Sequence, residues 1–176
     1  MKKYTVIDIE TTGLKPEEGH EITEIAGCNI IDNDIVRTFS TLCKVNTKIS
    51  NFIYNLTGIT QKMCNNADKF QDIFHTFMDC LDIDQDTNLI IHNAEFDYNF
   101  IMFWIEKYNI DKEYIDRFKN CNVVCSLKLA RELLPNESHK LEYLKAKFSI
   151  KSKSHRALND TMVTNKIYQE LLKLKG

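Results

Sequence analysis

Asp8 and Glu10 close an apolar run, Tyr4-Thr5-Val6-Ile7, that reads as a β-strand, and Gly13 then lets the chain turn away. Side chains two apart on a strand share a face, so the pattern sets two carboxylates side by side where the strand ends. Like charges held together raise one pKa or require a cation between them. Such a strand must therefore end at a ligand-bearing edge of its sheet, either around a divalent metal or simply out in solvent. The pair alone leaves both readings open.

The 176 residues suit one domain, spanning 1–176, around one core. No apolar run is long enough to span a membrane, and the start of the chain lacks the apolar segment of a secretory signal. Cytoplasmic location is the default expectation, with no membrane partner. Cys28, Cys43, Cys64, Cys80, Cys121 and Cys125 form no Cys-x-x-Cys pair and read as reduced, mostly buried thiols. The formal net charge of −2 gives no overall basic field. Between Lys140 and Arg156, however, Lys140, Lys145, Lys147, Lys151, Lys153 and Arg156 face a single acid, Glu142. That stretch is a solvated face or a phosphate-attracting patch.

Strands are expected at 22–31 and 35–45, joined by the turn residues Asp32-Asn33-Asp34. With the first strand they make a three-stranded meander. Helical periodicity covers 68–81, 96–108, 127–134 (stopped by Pro135), 140–148 and 157–174, with short buried strands at 89–91 and 123–125. The order implies an α/β fold, a mixed sheet covered by helices. Asp82, Asp84, Asp86 and Asn88 imitate the start of a calcium-binding EF-hand loop. The glycine that loop needs is absent at Thr87, and its closing glutamate is replaced by Asn93.

Two further acidic segments carry the functional reading. His92-Asn93-Ala94-Glu95-Phe96-Asp97 falls where a buried strand turns into a helix, a position where ligand sites collect in α/β sheets. Helix capping by Asn93 or compensation of the helix dipole by Asp97 is the structural alternative there. His155-Arg156-Ala157-Leu158-Asn159-Asp160 opens the last helix. Residues five apart are not neighbours on a helix, so His155 can join Asp160 only from a segment that precedes the regular helix and folds back. The Ser- and Lys-rich run 149–154 suits a mobile loop in that place.

Asp8-x-Glu10, then Asp97, then His155-x4-Asp160, with Leu56-Thr57-Gly58-Ile59-Thr60 between, resembles the DEDDh subgroup of DnaQ-like 3′–5′ exonucleases over nearly the whole chain. The sister subgroup, with Tyr-x3-Asp in the third motif, does not fit, because position 156 is Arg. The resemblance implies an RNase H-like fold, a central five-stranded mixed sheet flanked by helices. It also implies two Mg²⁺ (or Mn²⁺) held by Asp8, Glu10, Asp97 and Asp160. Two ions roughly 4 Å apart stabilise the attacking and leaving oxygens of a phosphodiester together. Asp8 is expected to bridge the ions, Glu10 and Asp160 to serve the nucleophile side, and Asp97 the leaving-group side. His155 is the expected general base.

Thr11, Thr12, Leu56, Thr57, His92 and Asn93 are the expected substrate contacts. The implied activity releases nucleoside 5′-monophosphates from a single-stranded or frayed 3′ end of DNA, in proofreading, repair or turnover. The same fold on RNA and a non-catalytic nucleic-acid-binding module are the alternatives. A DNA polymerase is an open partner, weakened by the short stretch after the last motif.

Overall fold

The computed structural model describes residues 3–152 and 155–176. Lys153 of the basic stretch, and with it part of the 149–154 loop expectation, lies outside them. In chain order the elements are β1 (Lys3–Thr11), a 3-10 turn (Pro16–Glu18), β2 (Ile22–Ile31), β3 (Asp34–Leu42), α1 (Asn51–Thr57), α2 (Gln61–Asn65), α3 (Phe70–Cys80) and β4 (Asn88–Ile91). There follow α4 (Ala94–Lys107), α5 (Lys112–Lys119), β5 (Asn122–Cys125), α6 (Ser126–Leu133), α7 (Leu141–Lys147) and α8 (Ala157–Lys175). No described helix is long and apolar enough to cross a membrane.

The strands form one five-stranded sheet in the order β3-β2-β1-β4-β5. β1, β2 and β3 are an antiparallel meander, while β4 runs parallel to β1 and β5 parallel to β4. This is the RNase H-like arrangement. The β2–β3 turn uses Asp32 and Asn33 at φ 49° and 77°. Two consecutive left-handed residues match the twist of a tight hairpin, and Asn and Asp tolerate that region best among non-glycines.

Strand alternation divides the core. Ile7, Ile9, Ile25, Leu89 and Ile91 pack with Phe74, Phe77, Phe100 and Trp104 on one face. Tyr4, Val6, Cys28, Ile30 and Ile90 face the other way, against Tyr168 of α8. Tyr4 donates from its hydroxyl to Asn165 Oδ1 at 2.8 Å, which fixes α8 along β1. α6 and α7 then pack on α8 through Ala130, Leu144, Val163, Ile167 and Leu171. All six cysteines are free, four of them buried.

β1 runs on through the acidic motif to Thr11, so Asp8 and Glu10 stand within paired strand rather than at its end. α1, α2 and α5 were not expected. α1 presents Phe52, Tyr54 and Leu56 to solvent and turns only Ile53 and Thr57 inward, too few for periodicity to reveal. Its ends are set locally: Ser50 accepts from the Ile53 amide, and Gly58 closes it at φ 71°.

Candidate functional site

Asp8 and Glu10 share the face of Tyr4 and Val6, the face that α8 covers. Asp160, in the first turn of α8, is thereby brought over β1. One carboxylate oxygen from each of Asp8, Glu10 and Asp160 lies within 4.8 Å of the other two. Asp97 enters from the first turn of α4, buried, its Oδ1 accepting the Ile9 amide at 3.2 Å. It stands outside that triad but is the strongest of the neighbouring charges acting on Asp8.

Burial pushes all four acids upward, and mutual repulsion adds to it at β1. Asp8 stands well above the carboxylate range, from burial first and then from Asp97 and Glu10. Glu10 is raised to about 8, by burial and then Asp160. Burial takes Asp97 to about 8 against the opposing Ile9 hydrogen bond. Asp160 reaches about 6, held down by the His155 amide. Asp160 Oδ2 accepts that amide at 2.9 Å, while its Oδ1 is buried with no hydrogen-bond partner. An orphaned carboxylate oxygen beside two more carboxylates fits a hard divalent cation bound through oxygen.

His155 does precede the helix. Its φ of 63° is left-handed, and α8 begins two residues later. What turns the chain there is a residue that the motifs did not reveal. Glu24 of β2 lies directly opposite Glu10 in the antiparallel register and is only 2% exposed. Arg156 Nη2 and Nε reach its carboxylate at 2.6 and 3.0 Å, and the Ala157 amide donates to it at 3.0 Å. The chain on both sides of the Arg156–Ala157 peptide is thus pinned to β2, with His155 immediately before it. One signal was available in the sequence: Glu24 is the single acid in a ten-residue strand of otherwise buried character.

The remaining expected contacts divide. Thr11, Thr12 and Leu56 line a cavity of about 720 Å³ beside Glu10, together with Leu14, Phe52 and Phe96. Phe96 also borders the cavity, and Leu14 and Phe52 join it unforeseen. The threonine hydroxyls are already engaged: Thr11 donates to the Gly13 carbonyl at 2.6 Å and Thr12 accepts the Glu21 amide at 2.9 Å. Thr57 is buried, donating to the Ile53 carbonyl and accepting from the Ile59 amide, and is not among the residues lining that cavity.

His92 and Asn93 border a different groove. The His92 ring sits between Ser126 Oγ at 3.0 Å and the His139 carbonyl at 3.1 Å, and burial lowers its pKa to about 4. Within the basic stretch three cations are paired, Lys145 beside Glu142, Lys147 beside Glu137 and Arg156 on Glu24.

A five-stranded mixed sheet carrying clustered carboxylates at β1, α4 and α8 defines the RNase H-like class. The RNase_T exonuclease family model matches residues 5–168, and the chain belongs to that exonuclease family. It is 33% identical over 175 residues to the PolC-type DNA polymerase III of Thermotoga petrophila, a match covering 97% of this chain and 12% of that protein. It is 34% identical over 175 residues to the epsilon subunit of DNA polymerase III from Buchnera aphidicola subsp. Baizongia pistaciae, covering 95% of this chain and 69% of that one. Among solved structures, exonuclease X in complex with 5′ overhanging duplex DNA superposes with a TM-score of 0.72 at 23% identity, over 97% of this chain and 91% of that one.

Proposed function

We propose that the chain is one exonuclease domain that removes nucleoside 5′-monophosphates from the 3′ end of single-stranded or frayed DNA. The observation that carries the reading is the Asp8–Glu10–Asp160 triad within 4.8 Å, with Asp160 also holding the backbone of His155. Asp8, Glu10, Asp97 and Asp160 would hold two Mg²⁺ or Mn²⁺, which when bound supply charge stabilisation to a phosphodiester under attack.

The protein's own groups divide the remaining work. The apolar walls of the 720 Å³ cavity, Leu14, Phe52 and Leu56, receive the terminal base. Thr11 and Thr12 shape its rim, their hydroxyls engaged within the turn and the Thr12 amide donating to the Glu21 carbonyl at 2.9 Å. His155 takes a proton from the attacking water as its oxygen bonds to phosphorus, and the bond from phosphorus to the leaving 3′ oxygen breaks. The leaving oxygen is protonated from solvent. The DNA polymerase names of the relatives support DNA as the substrate and a polymerase as a partner.

The test is digestion of 5′-labelled single-stranded DNA and RNA with Mg²⁺, Mn²⁺ or EDTA, with Asp8→Ala in parallel. A metal-dependent, 5′-anchored ladder on DNA that Asp8→Ala abolishes is the expected result. A ladder mainly on RNA reassigns the substrate. No ladder from folded protein refutes catalysis.

A further inference from the structure

On the β4 side of β1 lies a second groove, of about 450 Å³, lined by His92, Asn93, Leu127, Arg131, His139, Lys140 and Leu141. Its place follows from register. Thr5 pairs with Leu89 and Val6 with Ile90 in parallel, and His92 follows directly on the end of β4 at Ile91, toward the same end of the sheet as Asp8. Adjacent strands lie about 4.8 Å apart, so the groove opens beside the carboxylates.

No acid lines this groove. Arg131, in the last turn of α6, and Lys140, the residue before α7, are both exposed. Neither is in an ion pair among the described residues, whereas Lys145, Lys147 and Arg156 nearby are paired. The frame between the two cations is braced. His92 ties Ser126 to the His139 carbonyl, and the His139 ring hydrogen-bonds the Leu134 carbonyl at 2.8 Å. Burial keeps His92 neutral near neutral pH, and the fixed positive charges of the groove are Arg131 and Lys140.

The two cavities flanking the carboxylates thus differ in chemistry. One is walled by Leu14, Phe52, Leu56 and Phe96 and suits bases. The other holds two unneutralised cations and suits a backbone of phosphates. We propose that the Arg131–Lys140 groove binds the phosphodiester backbone upstream of the scissile bond, each cation contacting one phosphate. This rests on the exonuclease reading and adds to it the path along which the strand leaves the site.

Arg131→Gln, Lys140→Gln and the double variant test it, with kinetics on a short DNA oligonucleotide and on the p-nitrophenyl ester of thymidine 5′-monophosphate, which has no upstream phosphate. A single-strand contact contributes a salt slope of about 0.7, worth about fivefold in affinity at about 0.1 M salt. Each substitution should raise the oligonucleotide KM about fivefold, and the double about 25-fold, with the salt slope shallower by about 1.4. Arg131→Lys and Lys140→Arg should restore it. Unchanged KM and slope in folded, active variants overturn the proposal. An equal loss on the ester overturns it too, because the disturbance then lies at the carboxylates. Wild-type protein that cleaves neither substrate overturns the exonuclease reading itself.

Discussion

Arg156→Ala is the substitution whose cost the structure lets one work out. It removes the guanidinium from Glu24, a carboxylate 2% exposed and directly opposite Glu10. Among the described residues the only donor left to the Glu24 carboxylate is the Ala157 amide. Stranding one partner of a buried ion pair costs about 3–5 kcal/mol. The Arg156 side chain is 43% exposed, so water already screens its end of the pair, and about 2–3 kcal/mol is the appropriate figure. In a chain of this size that corresponds to a melting temperature lower by about 5–10 °C. Urea unfolding in EDTA at neutral pH measures it directly.

Glu24→Gln should cost only about 1 kcal/mol, since it removes the buried charge together with its need for a partner. The double variant should then be more stable than Arg156→Ala alone. If Arg156→Ala costs under about 0.5 kcal/mol, or if the two losses simply add, the clamp is not an energetically coupled pair and the reasoning fails.

Three further outcomes are expected. In EDTA, thermal stability should fall as pH rises from 6 to 9: Glu10 and Asp97 titrate at about 8 and Asp160 at about 6 in the folded chain, all above their ordinary values, so the folded state binds more protons than the unfolded one and loses that advantage as they ionise. Added Mg²⁺ should reverse the trend, with the metal-induced gain in melting temperature growing with pH, and a gain independent of pH would argue against these ligands. His155→Ala should lower kcat by about 10²–10⁴-fold while the metal-induced gain in melting temperature stays as in wild type, because the side chain is assigned to proton transfer. Gly13→Ala should disturb the cavity beside Glu10, since an added Cβ would meet the His20 ring at 2.5 Å; an unchanged KM for the p-nitrophenyl ester would show that the 11–13 turn yields without moving the site.

The acids were legible because their spacing is a local property. Two residues apart on a strand, or in the first turn of a helix after a strand, fixes a direction without knowledge of the tertiary structure. The sheet was legible for the same reason: 22–31 is mostly apolar and β-compatible, and the Asp-Asn turn announces the hairpin. Glu24 was hidden because its meaning lies in a pairing register, set by residues on both strands and by an arginine 132 positions away. α1 was hidden because its apolar residues point outward, toward the cavity that they wall. The pairing within the basic stretch was hidden too, since counting charges cannot show which acids fold back onto them. Glu137, five residues before Glu142 in the connection between α6 and α7, neutralises Lys147 at 2.8 Å.

The same geometry explains why so many acids are tolerated in one place. Asp97 and Asp160 both sit in first turns, where the unpaired amides of a helix N-terminus favour negative charge. That effect is worth at most about 2 kcal/mol at each end, and it does not bring either carboxyl back to its ordinary range. The Arg156 guanidinium is committed to Glu24, and among the described residues neither Lys145 nor Lys147 is left without a carboxylate beside it. Among the described residues Arg156 and Lys145 lower Glu10 and Asp160 only in part, and protons or cations out of solution supply the rest of the compensation. Between pH 6 and 9 these two compete for the same oxygens, so the pH profile of metal-dependent stabilisation measures the cluster as a cluster.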